Sequence, residues 1–361
     1  MSNGTLFRGF LAAVLAYVCG TPGYGSPVYF MTDLTVAAGL GEADAYAVND
    51  SGTVTGHRKV GDDWKAYSWT ASTGWKDLGE LPGGTSSRGG AINASGTIAG
   101  WSWTDAVGNL HGVVWKPGES ITDLGALPGS DTSDAVDIND AGWVCGHATS
   151  TDFKQHAVVW NPDGAIQDLG CLPGDNYSYA QAIANDGLVV GYSFSSTDYV
   201  SDMFTWTQAG GMVNVGRPAG AKSATPWKVN NLGQAVCRVW SKSGQLSYSL
   251  WSTATGFVDS SAYGLSELYD INDVGMMLGK RRSDGKLAVR HPDGSTSALP
   301  TYAGQQTLVC GMNNLGWVVG FASGVNHALL WRPVPEPSSI LALLCGIGGL
   351  AAAARKRGTA H

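Results

Sequence analysis

The chain repeats itself seven times, and that periodicity limits it to a small set of architectures. Aligned on a glycine turn, the copies read AVNDSGTVTG, AINASGTIAG, DINDAGWVCG, AIANDGLVVG, KVNNLGQAVC, DINDVGMMLG and GMNNLGWVVG. The turn glycines Gly52, Gly96, Gly142, Gly187, Gly233, Gly275 and Gly316 stand 44, 46, 45, 46, 42 and 41 residues apart. Each turn leads to a short apolar segment ending in Trp69, Trp115, Trp160, Trp206, Trp251, His291 or Trp331. A third element, KDLGELPGG, TDLGALPGS or QDLGCLPGD, closes the first three copies and decays afterwards.

Alternating apolar and polar residues between turn signals divide each copy into four strands. In the third copy these are SDAVDIN, GWVCGHA, QHAVVW and AIQDLG. The first connection is an Asn-Asp-x-Gly turn, where glycine takes a positive φ at no steric cost. A period near 45 with four strands predicts a propeller blade, whereas the coils of a β-solenoid are shorter. The last copy stops after Trp331 without a fourth strand, and an orphan strand, YFMTDL, stands at Tyr29 to Leu34. Such a strand completes the last blade and removes an open edge. The reading is an all-β, seven-bladed β-propeller closed by an N-terminal strand.

The copies also resemble the extracellular HAF repeat, named for a His-Ala-Phe strand. The matching residues are His111-Gly112-Val113, His156-Ala157-Val158 and His327-Ala328-Leu329, together with the DLG and NxxG elements. The resemblance spans Tyr29 to Arg332. It is a variant match: the third residue is never Phe, Cys237 replaces a glycine in copy five, and His291 replaces a tryptophan in copy six. It implies an extracellular setting and lends no activity.

The two ends carry addresses. Arg8 followed by the apolar run FLAAVLAYV (Phe10 to Val18) and small residues up to Ser26 reads as a signal peptide over 1–25, removed with Cys19. At the other end Pro335, Glu336 and Pro337 precede the 15-residue apolar run ILALLCGIGGLAAAA, which holds Cys345, and then Arg355, Lys356 and Arg357. The apolar run partitions into the bilayer and the cations hold its end on the cytoplasmic side. It is short against the roughly 20 residues of a stable span. This order resembles the PEP-CTERM sorting signal. The resemblance implies an exosortase as processing partner, cleavage near Pro335–Pro337, and an exopolysaccharide-producing Gram-negative host. The domain plan is therefore signal peptide 1–25, propeller 26–333 and sorting signal 334–361. The expected location is across the inner membrane, in the periplasm, at the cell surface or in the matrix, with a transient anchor in the inner membrane.

Fifty-one glycines, 14 tryptophans and only 14% charged residues suit a turn-dense β protein. A net charge of -7 without an internal basic run excludes a nucleic-acid partner.

The recurrent tryptophans are expected to pack between blades. Aromatics outside the repeat pattern are the binding candidates: Trp64, Trp101, Trp103, Phe153, Tyr192, Phe194 and Tyr199 in the second connections, and Tyr177, Tyr179, Trp227 and Tyr263 in the links between blades. Both kinds of loop open on one face, which is the expected ligand-binding face. His111, His156 and His327 share one repeat position and are expected to pair with a neighbouring blade. Asp137-Asn139-Asp140 and Asp270-Asn272-Asp273 lack the downstream acid of a calcium loop and read as Asx turns. No motif calls for a metal or cofactor, and no catalytic motif stands out. Of Cys145, Cys171, Cys237 and Cys310, the pair Cys145–Cys171 is the candidate disulfide; buried free thiols are the other reading. The leading function is a non-catalytic, exported propeller that binds extracellular polysaccharide or a surface protein. The alternatives are a propeller hydrolase or lyase drawing on Asp62, Asp63, Asp105, Asp152, Asp198 and Asp202, and a structural biofilm or surface protein.

Overall fold

Asparagine and glycine at each turn send the chain back on itself, and seven such reversals build seven separate sheets. A computed structural model of the chain describes residues 27–105 and 108–334. The signal peptide, Cys19, Cys345 and the sorting residues Pro335, Glu336, Pro337, Arg355, Lys356 and Arg357 lie outside the described residues. Tyr29–Val334 forms one compact unit of seven four-stranded antiparallel sheets. Blade 3 shows the pattern, with strands Ser133–Ile138, Val144–Thr149, Gln155–Trp160 and Ile166–Gly170 in sequential order. First strands of successive blades touch in a closed cycle, so they line the central channel and the fourth strands form the rim.

Blade 7 contains the closure. Its first three strands are Gln306–Met312, Val318–Ser323 and His327–Pro333, and its outer strand is Tyr29–Asp33, paired antiparallel from Tyr29↔Pro333 to Asp33↔Leu329. The closing strand stops one residue short of Leu34 because Asp33 caps a short helix, Leu34–Ala38. Its Oδ1 accepts from the backbone N–H of Thr35 and Val36 at 3.0 and 2.9 Å.

The core consists of radial seams rather than one centre. Each hydrophobic cluster draws on two adjacent blades, as where Trp160 and Val158 of blade 3 pack on Ala91, Val114 and Leu124 of blade 2. The tryptophans do pack between blades. Trp160 is fully buried and its indole N–H donates to the Leu124 carbonyl at 2.9 Å; Trp331 donates to Pro300 at 2.8 Å. A buried indole needs such an acceptor.

Side chains of the repeat signature stitch the seams. The turn asparagine accepts from the N–H four residues on, closing its own turn, and donates Nδ2 to the equivalent carbonyl of the next blade. Asn139 does this to Trp143 N and Ala184 O at 2.9 and 3.1 Å. Asn49, Asn93, Asn230, Asn272 and Asn313 repeat the inter-blade bond, and blade 4 alone has alanine, Ala184, at this place. The Asx turns are thus present, and they also fasten the ring. A second stitch joins third-strand N–H groups of Ala66, Gly112 and Ala157 to Ser87, Ser133 and Ser178 of the next blade at 2.7–2.9 Å.

The histidines differ from expectation. His111, His156 and His327 bond to acids on the adjacent fourth strand of their own blade, Asp123, Asp168 and Asp33, at 2.8–3.0 Å. Antiparallel pairing brings those acids alongside the third strand without any help from a neighbouring blade. The first two acids are those of the DLG element.

The cysteines differ too: Cys145, Cys171, Cys237 and Cys310 are free thiols. Cys145 pairs across the ladder with Asp137 near the asparagine-turn end, whereas Cys171 follows the fourth strand at the opposite end, where its thiol donates to Ser178. Cys171 stands four residues beyond Gln167, the fourth-strand residue level with Cys145, so the Cys145–Cys171 disulfide does not form.

Candidate functional site

The end of the channel opposite the asparagine turns is where the copies stop resembling one another. Every first strand is interrupted by a β-bulge three residues before the turn position, at Tyr46, Gly90, Val136, Gln181, Trp227, Tyr269 and Cys310. A bulge leaves one residue out of the ladder and re-aims its side chain. Two residues earlier the ladder resumes with seven in-register cross-strand pairs: Asp44–His57, Arg88–Trp101, Asp134–His147, Tyr179–Tyr192, Thr225–Arg238, Glu267–Lys280 and Leu308–Phe321. One backbone geometry therefore presents six different pairings around one mouth, Asp–His occurring twice.

The backbone here is fixed by glycine. A Cβ at Gly56 or Gly146 would land on the carbonyl oxygen of Asp44 or Asp134, the mouth residue directly beside it. In blade 5 Cys237 fills this place, and the chain there passes through Pro226.

The mouth divides into three sectors. Over blades 1–3 it is polar. Tyr46 Oη lies 3.1 Å from His57 Nε2 and 3.3 Å from Asp44 Oδ2, and the Arg88 guanidinium stacks 4.1 Å over the Tyr46 ring. Burial pushes the Asp134 carboxyl up and the His147 imidazole down, each partly offset by the charge of the other. Asp44 Oδ1, His57 Nδ1, Arg88 Nε and His147 Nδ1 are buried without a hydrogen-bond partner among the described residues.

Blade 4 is aromatic. Tyr177 stacks on Phe194 at 5.1 Å between centroids, and Tyr179 on Tyr192 at 5.2 Å; Tyr179 and Phe194 are parallel to within 2° at 6.2 Å. Tyr199 extends the set from the loop, 6.2 Å from Phe194, at a positive φ of 53° and 63% exposed. His147 of blade 3 closes the other side at 4.9 Å from Tyr179.

Over blades 5 and 6 the mouth is mixed. Trp227 carries the Arg238 guanidinium 4.1 Å over its ring. Glu267 is held by the Tyr269 hydroxyl and by Lys280 Nζ, the latter at 2.7 Å. Deeper in the channel Asp270 accepts from Ile271 N and Met312 N at 2.8 Å, and burial pushes its carboxyl up to about 6, with Lys228 nearby pulling the other way.

Of the aromatics singled out from sequence, Tyr177, Tyr179 and Tyr199 come together with Tyr192 and Phe194. Trp227 stands on the neighbouring blade, Trp64 lies 4.2 Å from His57 on blade 1, and Trp101 and Trp103 sit on blade 2. Their secondary structure needs correction. Tyr177, Tyr179 and Trp227 belong to first strands, not links; Trp101, Trp103, Tyr192 and Phe194 to second strands, and Trp64 to a third strand. The ladders run further toward the mouth than the turn signals suggest, because cross-strand pairs such as Tyr177↔Phe194 continue them. Tyr263 does lie in a link, ending the 3₁₀ turn Ser260–Tyr263. Asp152 serves its own loop, bonding Lys154 and Ser150, whereas Asp202 belongs to the third strand of blade 4 and pairs with Arg217 just past the fourth.

Sequence reasoning missed Asp44, His57, Arg88, Asp134, His147, Arg238, Glu267 and Lys280. The signal available was contrast: five residues before each turn position the copies read Asp, Arg, Asp, Tyr, Thr, Glu and Leu, beside positions that hardly vary. Among the described residues no group of three or more His, Cys, Asp or Glu side chains is placed to hold a metal, and no helix is long and apolar enough to cross a membrane. The arrangement offers stacking faces, donors and acceptors around the mouth.

No curated protein matches the chain. Solved propellers are similar to it in shape. Virginiamycin B lyase from Staphylococcus aureus aligns over 86% of this chain and 100% of its own, at 11% identity and TM-score 0.52. The β-propeller domain of the trilobed protease from Pyrococcus furiosus aligns over 80% and 93%, at 10% and 0.54. Puromycin hydrolase aligns over 83% of this chain and 52% of its own, at 15% and 0.53. At these identities the likeness is one of fold. The PEP-CTERM protein-sorting motif matches residues 333–357, and it marks the chain as an exported protein sorted by an exosortase to the cell envelope or surface.

Proposed function

We propose that the protein is a non-catalytic binding module of the cell exterior whose channel mouth takes extracellular polysaccharide. The observation that carries this reading is the aromatic set of blade 4, in which Tyr177, Tyr179, Tyr192, Phe194 and Tyr199 gather at an open mouth rather than inside a seam. Aromatic rings pack against the C–H faces of sugars, while hydroxyl and imidazole groups beside them bond the sugar hydroxyls. The sorting motif supports the same setting, since a protein released at the envelope meets the host's exopolysaccharide there. The likeness of the repeats to the HAF type adds to it.

The test is incubation of the purified propeller with the host's own exopolysaccharide, following binding by calorimetry and products by chromatography. Saturable binding without products is expected. New reducing ends or unsaturated sugars would make the protein a hydrolase or lyase. Absence of both signals would leave a protein partner or a structural role in the surface matrix.

A further inference from the structure

On a protein of net charge -7, one cation at the mouth stands out. Arg238 lies on the second strand of blade 5 and forms no ion pair among the described residues; its guanidinium lies over Trp227 instead. Trp227 is the bulged residue of the innermost strand and is 40% exposed. Trp240, two residues from Arg238 on the same face of the strand, is also 40% exposed. Glu267, on the next blade, is already engaged by Lys280 and Tyr269 and forms no ion pair with Arg238.

We propose that Trp227, Arg238 and Trp240 form a subsite for a carboxylated sugar, a uronate-type residue of an acidic polysaccharide. The inference rests on the glycan-binding reading above and names its ligand class. The chemistry is specific. A guanidinium stacked on an indole keeps its in-plane N–H groups available; here the Tyr248 hydroxyl of the next strand takes one of them, and the remaining edge matches a carboxylate in a two-point hydrogen bond. Stacking holds the fork in place before the ligand arrives and so lowers the entropy lost on binding. The half-exposed indoles flanking it supply apolar faces for the pyranose ring. A neutral polymer uses the indoles alone and leaves the fork with water.

The experiment uses the full chain in mild detergent and three polymers: polygalacturonate, its carboxyl-reduced counterpart and dextran sulfate. Binding of polygalacturonate at least about tenfold tighter than of the reduced polymer is expected, as a charge-assisted two-point bond implies. Arg238→Gln should erase that preference while leaving the reduced polymer's affinity unchanged, and Arg238→Lys should restore only part of it. The wild-type comparison decides the matter even where a variant fails to fold. Equal affinity for polygalacturonate and its reduced form overturns the carboxylate subsite and leaves glycan binding standing. Equal or tighter binding of dextran sulfate overturns it in favour of charge alone. Retention of the preference in Arg238→Gln overturns the assignment of the residue. Binding of none of the polymers overturns the subsite, and if the host exopolysaccharide also fails, the reading beneath it falls as well.

Discussion

Asn313 donates its side-chain amide to the carbonyl of Asn49 at 3.0 Å, across 264 residues of sequence. This bond joins the last blade to the first by the same contact that joins most neighbouring blades, so the turn signature is also the fastening of the ring.

Removing one fastener should therefore cost more than an ordinary turn mutation. Asn139→Ala loses the bonds to Trp143 N and Ala184 O. A loss of about 2 kcal/mol is expected, two buried hydrogen bonds at about 1 kcal/mol each. The reverse experiment is available in blade 4, where Ala184→Asn supplies the missing link and should add about 0.5–1 kcal/mol. Urea denaturation midpoints measure both, and an unchanged midpoint in both variants would remove the stitching role.

The closing strand adds Tyr29 and Met31 to the seam between blades 6 and 7. Tyr29 is buried with Trp331, Leu329 and Val318, and Asp33 holds His327 at 2.8 Å. Deleting residues 27–33 exposes the edge of the third strand from Leu329 to Pro333. The expected result is a lower, broader thermal transition and concentration-dependent association through the bared strand. A truncated chain that melts like the intact one and stays monomeric by light scattering would show that closure is dispensable.

Asp270 gives the propeller a pH dependence of known sign. Its carboxyl is pushed up to about 6 by burial, above its ordinary value of 3.8, so the folded state binds the proton more tightly than the unfolded chain. The stability it supports is fully present below about pH 4 and is lost as pH rises through about 6. Asp270→Asn keeps the neutral shape and should flatten the slope of stability against pH in that window. Chemical denaturation at intervals from pH 4 to 7 checks it, and an identical slope in the variant removes Asp270 as its source.

Within the mouth, the aromatics should not be equivalent. Tyr199→Ala removes an exposed ring from the blade 4 set and should weaken polysaccharide binding about three- to tenfold, the range of an aromatic contact. Trp103→Ala, on blade 2 and apart from that set, should leave affinity within about twofold, inside the scatter of exposed substitutions. Titration of the two variants side by side separates a specific platform from general surface stickiness.

What the sequence revealed was whatever it repeats. Six turn asparagines and seven turn glycines made the blades countable, and the missing fourth strand of the last copy found its partner in Tyr29–Asp33 because absence and surplus matched. The recurrent tryptophans were legible as seam residues for the same reason. What it hid was whatever depends on meeting across a ladder or a seam. That His156 takes the acid of the DLG element of its own blade follows from the register Ala157↔Gly170, which a shift of one residue would undo. Arg88 over Tyr46, or His147 beside Tyr179, joins residues on different blades some forty or thirty positions apart, and no local pattern announces such a pair. Tyr177 and Tyr179 read as loop residues because periodicity fades where the repeat turns to function. The positions that disobey the repeat were the ones to collect.

Tyr29 and Pro333 face each other at the end of blade 7 that carries the asparagine turns. The propeller thus has a single handle, and whichever terminus is gripped, the grip falls on the rim opposite the mouth. Pulling the two ends apart would open the closing strand like a zipper, one rung at a time, rather than shearing all its hydrogen bonds at once.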